Sequence, residues 1–179
     1  VRLDDGVADP AAQVGDDVWV TGTLGDAALA LEAVLQERDV SMALRERLDR
    51  PTPRVAVGQR LSGLVHACID VSDGLLADLG HVCERSGVGA EIHMADLPCS
   101  IELAAMRAPQ RWPLQTGGDD YELCFTAPRA AAERVAAIAA STAVPLTRIG
   151  MITAGSGLVV RDERGMRLPA VPRAYDHFA

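Results

Sequence analysis

The chain has 179 residues, 49% of them hydrophobic and 23% charged, a balance that suits one compact domain with a sizeable core and excludes disorder. A net charge of −8 with no dense basic stretch argues against a phosphate-neutralising nucleic-acid surface. All 17 Lys+Arg positions are arginine, which excludes a lysine Schiff base, a lysine general base and the lysine of a Walker-type phosphate loop.

Residues 1–16, dense in Asp, Gly and Pro and weakly periodic, read as an arm that begins like an internal segment. Residues 17–21 read as a strand, followed by the turn Gly22-Thr23-Leu24-Gly25 and a helix to about Arg38, capped near Thr23 or Asp26. A second helix starts at Ser41 and stops before Pro51. Thr52-Pro53 supplies a cap and first-turn proline for a third, ending near Leu61. The apolar run 64–69 is too short for a helix and reads as a buried strand.

Between Asp73 and Arg85 the apolar residues Leu75, Leu76, Leu79, Val82 and Cys83 recur at helical spacing, and Gly87 is placed to end that helix in a left-handed cap. Strands are expected at 90–93, 121–126 and 146–152, with helices at 101–106 and 128–140. A hairpin over 157–168, turning at Glu163-Arg164-Gly165, follows. Strands and helices alternate, so the fold class is α/β, an α+β sandwich with helices covering a β-sheet. Residues 17–179 form one domain.

Four cysteines form no CxxC pair, and four scattered histidines form no HExxH motif. The cysteines read as reduced, mostly buried small apolar residues of a cytoplasmic protein, and a zinc site is not expected. No run approaches the ~18 apolar residues of a membrane span, so no membrane partner is expected.

The strongest chemical signal is Ile69-Asp70-Val71-Ser72-Asp73-Gly74-Leu75, where a strand gives way to a helix. A helix N-terminus favours phosphate oxygens through its free N–H groups and partial positive charge. Asp70 and Asp73 have no arginine nearby in sequence and would repel unless hydrated or bridged by a cation. Magnesium suits them, because it takes oxygen ligands and uses one or two carboxylates together with substrate phosphates. Gly74 would let a nucleotide approach the backbone. The plainer reading is that Ser72 or Asp73 caps the helix and Asp70 is solvated.

Gly117-Gly118-Asp119-Asp120-Tyr121-Glu122-Leu123 is the second signal, paired glycines and acids ahead of a strand, which an ordinary Gly/Asp turn also explains. Alternation puts Glu122 and Tyr121 on opposite strand faces. Gly22-Thr23-Leu24-Gly25-Asp26 looks like a phosphate loop without its lysine and reads as a tight turn and cap. Tyr175 could stack on a flat ring or merely anchor the tail. His81 and His93 read as surface or hydrogen-bonded residues.

In this order, three stretches resemble thiamine-monophosphate kinase: 20–27 around Gly22-Thr23-Leu24-Gly25-Asp26, Arg50-Pro51-Thr52-Pro53-Arg54, and 69–75. So do 77–81, 86–90, 117–125, Arg148-Ile149-Gly150 and Tyr175-Asp176-His177-Phe178. The resemblance implies a mixed β-sheet covered by helices, as in the C-terminal domain of the aminoimidazole-ribonucleotide synthetase superfamily. It also implies ATP-dependent phosphorylation of thiamine monophosphate to thiamine diphosphate, by direct transfer with Mg2+. Asp70 and Asp73 would bind the metal, Ser72 would touch ATP, and Asp119 and Tyr175 would contact the thiamine moiety. Where the family usually has glutamate this chain has Asp119, a carboxylate shorter by one methylene, about 1.5 Å. A bridging water or a deeper substrate pose would have to close that gap.

The resemblance further implies a missing N-terminal domain, linked through residues 1–16, that supplies more magnesium aspartates, an ATP-phosphate arginine and most of a homodimer interface. The chain alone is expected to be inactive. Two alternatives stand beside it. One is another ATP-using member of that superfamily, such as a selenophosphate synthetase or a hydrogenase-maturation dehydratase. The other is a non-catalytic small-molecule-sensing domain with a ferredoxin-like sheet.

Overall fold

The structure is a computed structural model that describes residues 11–169. Among these residues six strands form one mixed sheet in the order β2-β4-β1-β5-β3-β6. The strands are β1 (Asp17–Thr21), β2 (Ala67–Asp70), β3 (Gly89–His93), β4 (Leu123–Ala127), β5 (Leu146–Thr153) and β6 (Gly157–Arg161). All neighbours are antiparallel except β3 and β6, which run parallel. The helices are α1 (Asp26–Leu35), α2 (Met42–Asp49), α3 (Val55–Leu61), α4 (Leu75–Ser86), α5 (Ile101–Ala104), α6 (Ala108–Gln115) and α7 (Ala132–Thr142). A helix-covered mixed sheet was the expected fold class.

Period-2 alternation in β1 explains why the sheet needs cover on both faces. Val18 and Val20 join a core with Leu75, Leu79 and Cys83 of α4. Trp19, between them, packs on the opposite face with Phe125 and with Val57, Leu61 and Val135 of α3 and α7. Trp19 and Phe125 are register partners, their rings 6.4 Å apart and nearly parallel. Otherwise the core is almost wholly aliphatic, as the scarcity of aromatic residues requires.

Helix α4 follows its sequence pattern closely: Leu75, Leu79 and Cys83 are buried, and Gly87 ends it with φ 66°. Ser41 caps α2 by accepting the Leu44 N–H. Three expectations need correction. Thr52 does not cap α3, whose first flanking residue is Arg54, with no side-chain cap. Helix α6 went unforeseen because Pro109 and Pro113 obscure its pattern, although Pro109 falls in the first turn, where a missing N–H costs nothing. Strand β2 starts only at Ala67, because the Leu64 and Val65 N–H groups still bond back to Leu61 at the end of α3.

Within the span read as an arm, Ala12 is buried and the Gly15 N–H donates to the Ile152 carbonyl at 3.0 Å. Beyond β6, Asp162 and Gly165 turn the chain, and the return leg makes one bridge, Arg161 to Arg167. No helix among the described residues is long and apolar enough to cross a membrane.

Candidate functional site

Strand β2 ends with Asp70 opposite Leu123, but the two chains go on pairing beyond the regular ladder. The Val71 N–H donates to the Glu122 carbonyl at 2.7 Å, and the Tyr121 N–H donates to the Val71 carbonyl at 2.9 Å. The Asp119 N–H donates to the Ser72 carbonyl at 2.9 Å. The two acidic motifs of the sequence are thereby joined edge to edge. Asp119 and Tyr121 take left-handed backbone angles, φ 67° and 51°, a conformation that aspartate tolerates and a bulky tyrosine seldom adopts. A Cβ on Gly118 would collide with the Ser72 carbonyl, so only glycine allows this approach.

The Gly22–Asp26 turn joins the same junction through side chains. The buried Asp120 carboxylate accepts the Gly25 N–H at 2.7 Å and lies 3.5 Å from the Ala27 N–H. It therefore caps α1 from a distance, where the sequence pointed to Thr23 or Asp26. Thr23 Oγ1 donates instead to the Asp26 carboxylate at 2.6 Å. Glu122, fully buried, accepts from Thr21 Oγ1 and from Nε and Nη2 of Arg54, the latter two at 2.7 Å. Arg47 Nη2 approaches the same carboxylate at 2.9 Å.

Asp70, Asp73 and Asp119 are exposed at this junction and Ser72 is half-buried. Tyr175 lies outside the described residues. Neither Asp70 nor Asp73 forms an ion pair among the described residues, and Asp70 borders a groove of about 330 Å³. Pro51, Pro53, Arg54, Tyr121 and Leu123 line that groove as well. Two unpaired, solvent-facing carboxylates match the donor chemistry of magnesium, which keeps several waters and takes one or two carboxylates. Among the described residues no group of three or more His, Cys, Asp or Glu is disposed to hold a metal ion, so further ligands would have to come from a phosphate or from outside this set.

The helix N-terminus differs from expectation. The N–H groups of Ser72, Asp73 and Gly74 all donate to one oxygen of Asp78, at 2.9, 3.1 and 3.2 Å. These three amides are thus already partnered from within the helix and are not offered to a phosphate. Gly74, at φ 117°, makes room for the Thr116 carbonyl and not for a nucleotide.

Asp78, Asp120, Glu122, Arg47 and Arg54 were not singled out as site residues from the sequence. A signal existed for Asp78, which lies three residues after Leu75 on the apolar stripe of α4, where an acid needs a buried partner. Local pattern gave no way to sort the acids at 119, 120 and 122 by burial, because two left-handed residues break the strand alternation. Burial pushes the Asp120 carboxyl up to about 7, against the opposing pull of the Gly25 N–H and Arg47. Burial also raises the Asp78 carboxyl, in spite of its three N–H donors. The Glu122 hydrogen bonds raise the Arg54 guanidinium.

Comparisons with known proteins bear on the fold and the family of this chain. The family described as AIR synthase related protein, C-terminal domain, matches residues 13–163. A thiamine-monophosphate kinase from Escherichia coli strain K12 is 42% identical over 94% of this chain and 54% of its own length. The crystal structure of the thiamine-monophosphate kinase from Stenotrophomonas maltophilia K279a superposes with a TM-score of 0.79 at 46% identity, over 84% of this chain and 51% of that one. AaThiL complexed with AMPPCP and TMP superposes with a TM-score of 0.75 at 34% identity, over 94% of this chain and 53% of that one. The chain spans about half the length of the relatives it matches. The chain belongs to the AIR synthase related protein family, of which it is a C-terminal domain.

Proposed function

We propose that this chain is the C-terminal part of a thiamine-monophosphate kinase, which transfers a phosphoryl group from ATP to thiamine monophosphate and forms thiamine diphosphate. One observation carries the reading. Segments 22–26, 69–75 and 117–122, far apart in sequence, are hydrogen-bonded into one junction that displays Asp70, Ser72, Asp73 and Asp119 together. Similarity to thiamine-monophosphate kinases, and to AaThiL complexed with AMPPCP and TMP, supports the choice of substrates.

In this reading Asp70 and Asp73 hold magnesium, Ser72 touches ATP, and Asp119 and Tyr175 hold the thiamine end. Magnesium, when bound, neutralises charge on the transferring phosphoryl group. The chain's own contribution is positioning. Asp78 fixes the loop that carries Ser72 and Asp73, and the pairing of that loop to 119–122 holds Asp119 beside them. An N-terminal domain would complete the metal ligands in a homodimeric whole, with residues 1–16 as the link. A cytoplasmic setting belongs to the same proposal, in keeping with four cysteines that form no disulfide.

The test is a chimera in which this chain replaces the segment it matches in the Escherichia coli kinase. Magnesium-dependent formation of thiamine diphosphate is expected, with loss in Asp70→Asn and in Asp73→Asn. A folded chimera that makes none, or one indifferent to both substitutions, refutes the reading.

A further inference from the structure

The bonds from Arg54 to Glu122 occupy Nε and Nη2 and leave Nη1 outside the pair. Glu122 is the sole ion-pair partner of Arg54 among the described residues, whereas Arg47, the second cation on Glu122, also lies 3.7 Å from Asp26. Two guanidinium groups thus meet one fully buried carboxylate. The side chain of Arg54 is 17% exposed, and Arg54 lines the same groove as Asp70. Pro51, Pro53, Val55 and Leu123 give that groove apolar walls, and Tyr121 lines it as well. Charges act more strongly beside such walls than in open solvent.

A groove with an unpaired carboxylate and a fixed guanidinium offers two complementary contacts: the carboxylate to a cation, and the Nη1 that Glu122 leaves free to an anion. A metal-bound phosphate meets both, and a guanidinium fork matches phosphate oxygens. We infer that this groove accepts a phosphoryl group, with Arg54 donating to the anion and Glu122 positioning Arg54. The inference rests on the kinase reading where it puts magnesium on Asp70, and it adds a contact within that site. The phosphoryl group could come from the nucleotide or from the phosphorylated co-substrate.

The test follows the side-chain Nε–H signals of the arginines, and the amides of Gly58 and Tyr121, by NMR in the 179-residue chain. The probes are inorganic pyrophosphate without metal, then magnesium with AMPPCP, then magnesium with thiamine monophosphate. Saturable shifts at Arg54 are expected with pyrophosphate, and whichever later probe reproduces them identifies the source. Arg54→Gln should weaken pyrophosphate binding about tenfold or more, the loss of one charged hydrogen bond. Glu122→Gln should weaken it while Arg54 remains, and its fold is checked by the same amide spectrum. Asp70→Asn, a change at an exposed position, should strengthen the metal-free pyrophosphate response by removing a repelling charge, yet weaken binding of magnesium with AMPPCP.

No saturable shift at Arg54, or the same shift at exposed Arg45, overturns the inference. Tight magnesium–AMPPCP binding with a silent Arg54 overturns it and leaves the kinase reading standing. An intact Arg54 response with no effect of magnesium or of Asp70→Asn sinks the metal assignment alone.

Discussion

Asp120 accepts the backbone N–H of Gly25 at 2.7 Å, so a residue from the second acidic motif caps the helix that follows the first glycine turn. Such a cap cannot form until β1 and β4 have paired. It ties the local end of α1 to the register of the sheet.

The raised Asp120 carboxyl makes stability depend on pH in a defined direction. An acid that ionises at about 7 when folded and near 3.8 when unfolded keeps its proton more readily in the native state. Its contribution is complete below about pH 4 and is lost as pH rises through about 7. Replacement by Asn removes the titration but keeps an acceptor for the Gly25 N–H. Urea unfolding of Asp120→Asn and the parent chain should differ more in the parent's favour at about pH 4.5 than at about pH 8. The gap should change by on the order of 3–4 kcal/mol at ~1.4 kcal/mol per pKa unit. An equal gap at both pH values would contradict the assignment.

Asp78 satisfies three consecutive backbone N–H groups, so Asp78→Ala should cost about 2–4 kcal/mol in urea unfolding. Asp78→Asn should cost less, because its amide oxygen still accepts. If alanine and asparagine prove equally mild, the loop is held by something other than this carboxylate.

Two glycines should respond in opposite senses to alanine. Gly118→Ala forces a Cβ into the Ser72 carbonyl and should destabilise by about 1–3 kcal/mol. Gly80 sits within α4, where an added methyl group would meet nothing within 4 Å, so Gly80→Ala should stabilise by about 0.5–1 kcal/mol. Thermal melts of the two variants decide the matter, and a harmless Gly118→Ala would mean that the two motifs approach less closely.

In the chimera, Asp119→Glu tests the shortened carboxylate. The longer side chain should lower KM for thiamine monophosphate and leave KM for ATP unchanged. The left-handed backbone at Asp119 is less comfortable for glutamate, so a slight loss of stability is expected alongside. An unchanged KM for both substrates in Asp119→Glu and in Asp119→Ala would remove Asp119 from the site.

Much was legible in the sequence where the signal is local. Helix α4 announced itself by the spacing of Leu75, Leu79 and Cys83 and by Gly87, because amphipathic periodicity and a left-handed cap are properties of neighbouring residues. Strand β1 is expected over the same residues, 17–21, that form it, and the second helix is expected from Ser41, which caps it. The two acidic motifs could be named as candidates because glycines and acids at a strand end are rare enough to notice.

What local pattern could not decide is which acids face solvent and which face inward. Asp119, Asp120 and Glu122 lie within four residues of one another, yet one is exposed and two are buried. Their fates depend on partners as distant in sequence as Gly25 and Arg54. Likewise the amides at 72–74 looked open to a phosphate until α4 brought Asp78 onto them. Periodicity and turn chemistry are written in the chain itself, but burial and hydrogen-bond partners exist only after the sheet has closed. The sequence alone therefore determined most of the elements, α6 excepted, and the candidate carboxylates, and the tertiary structure alone decided which charges are spent inside the fold and which remain for a ligand.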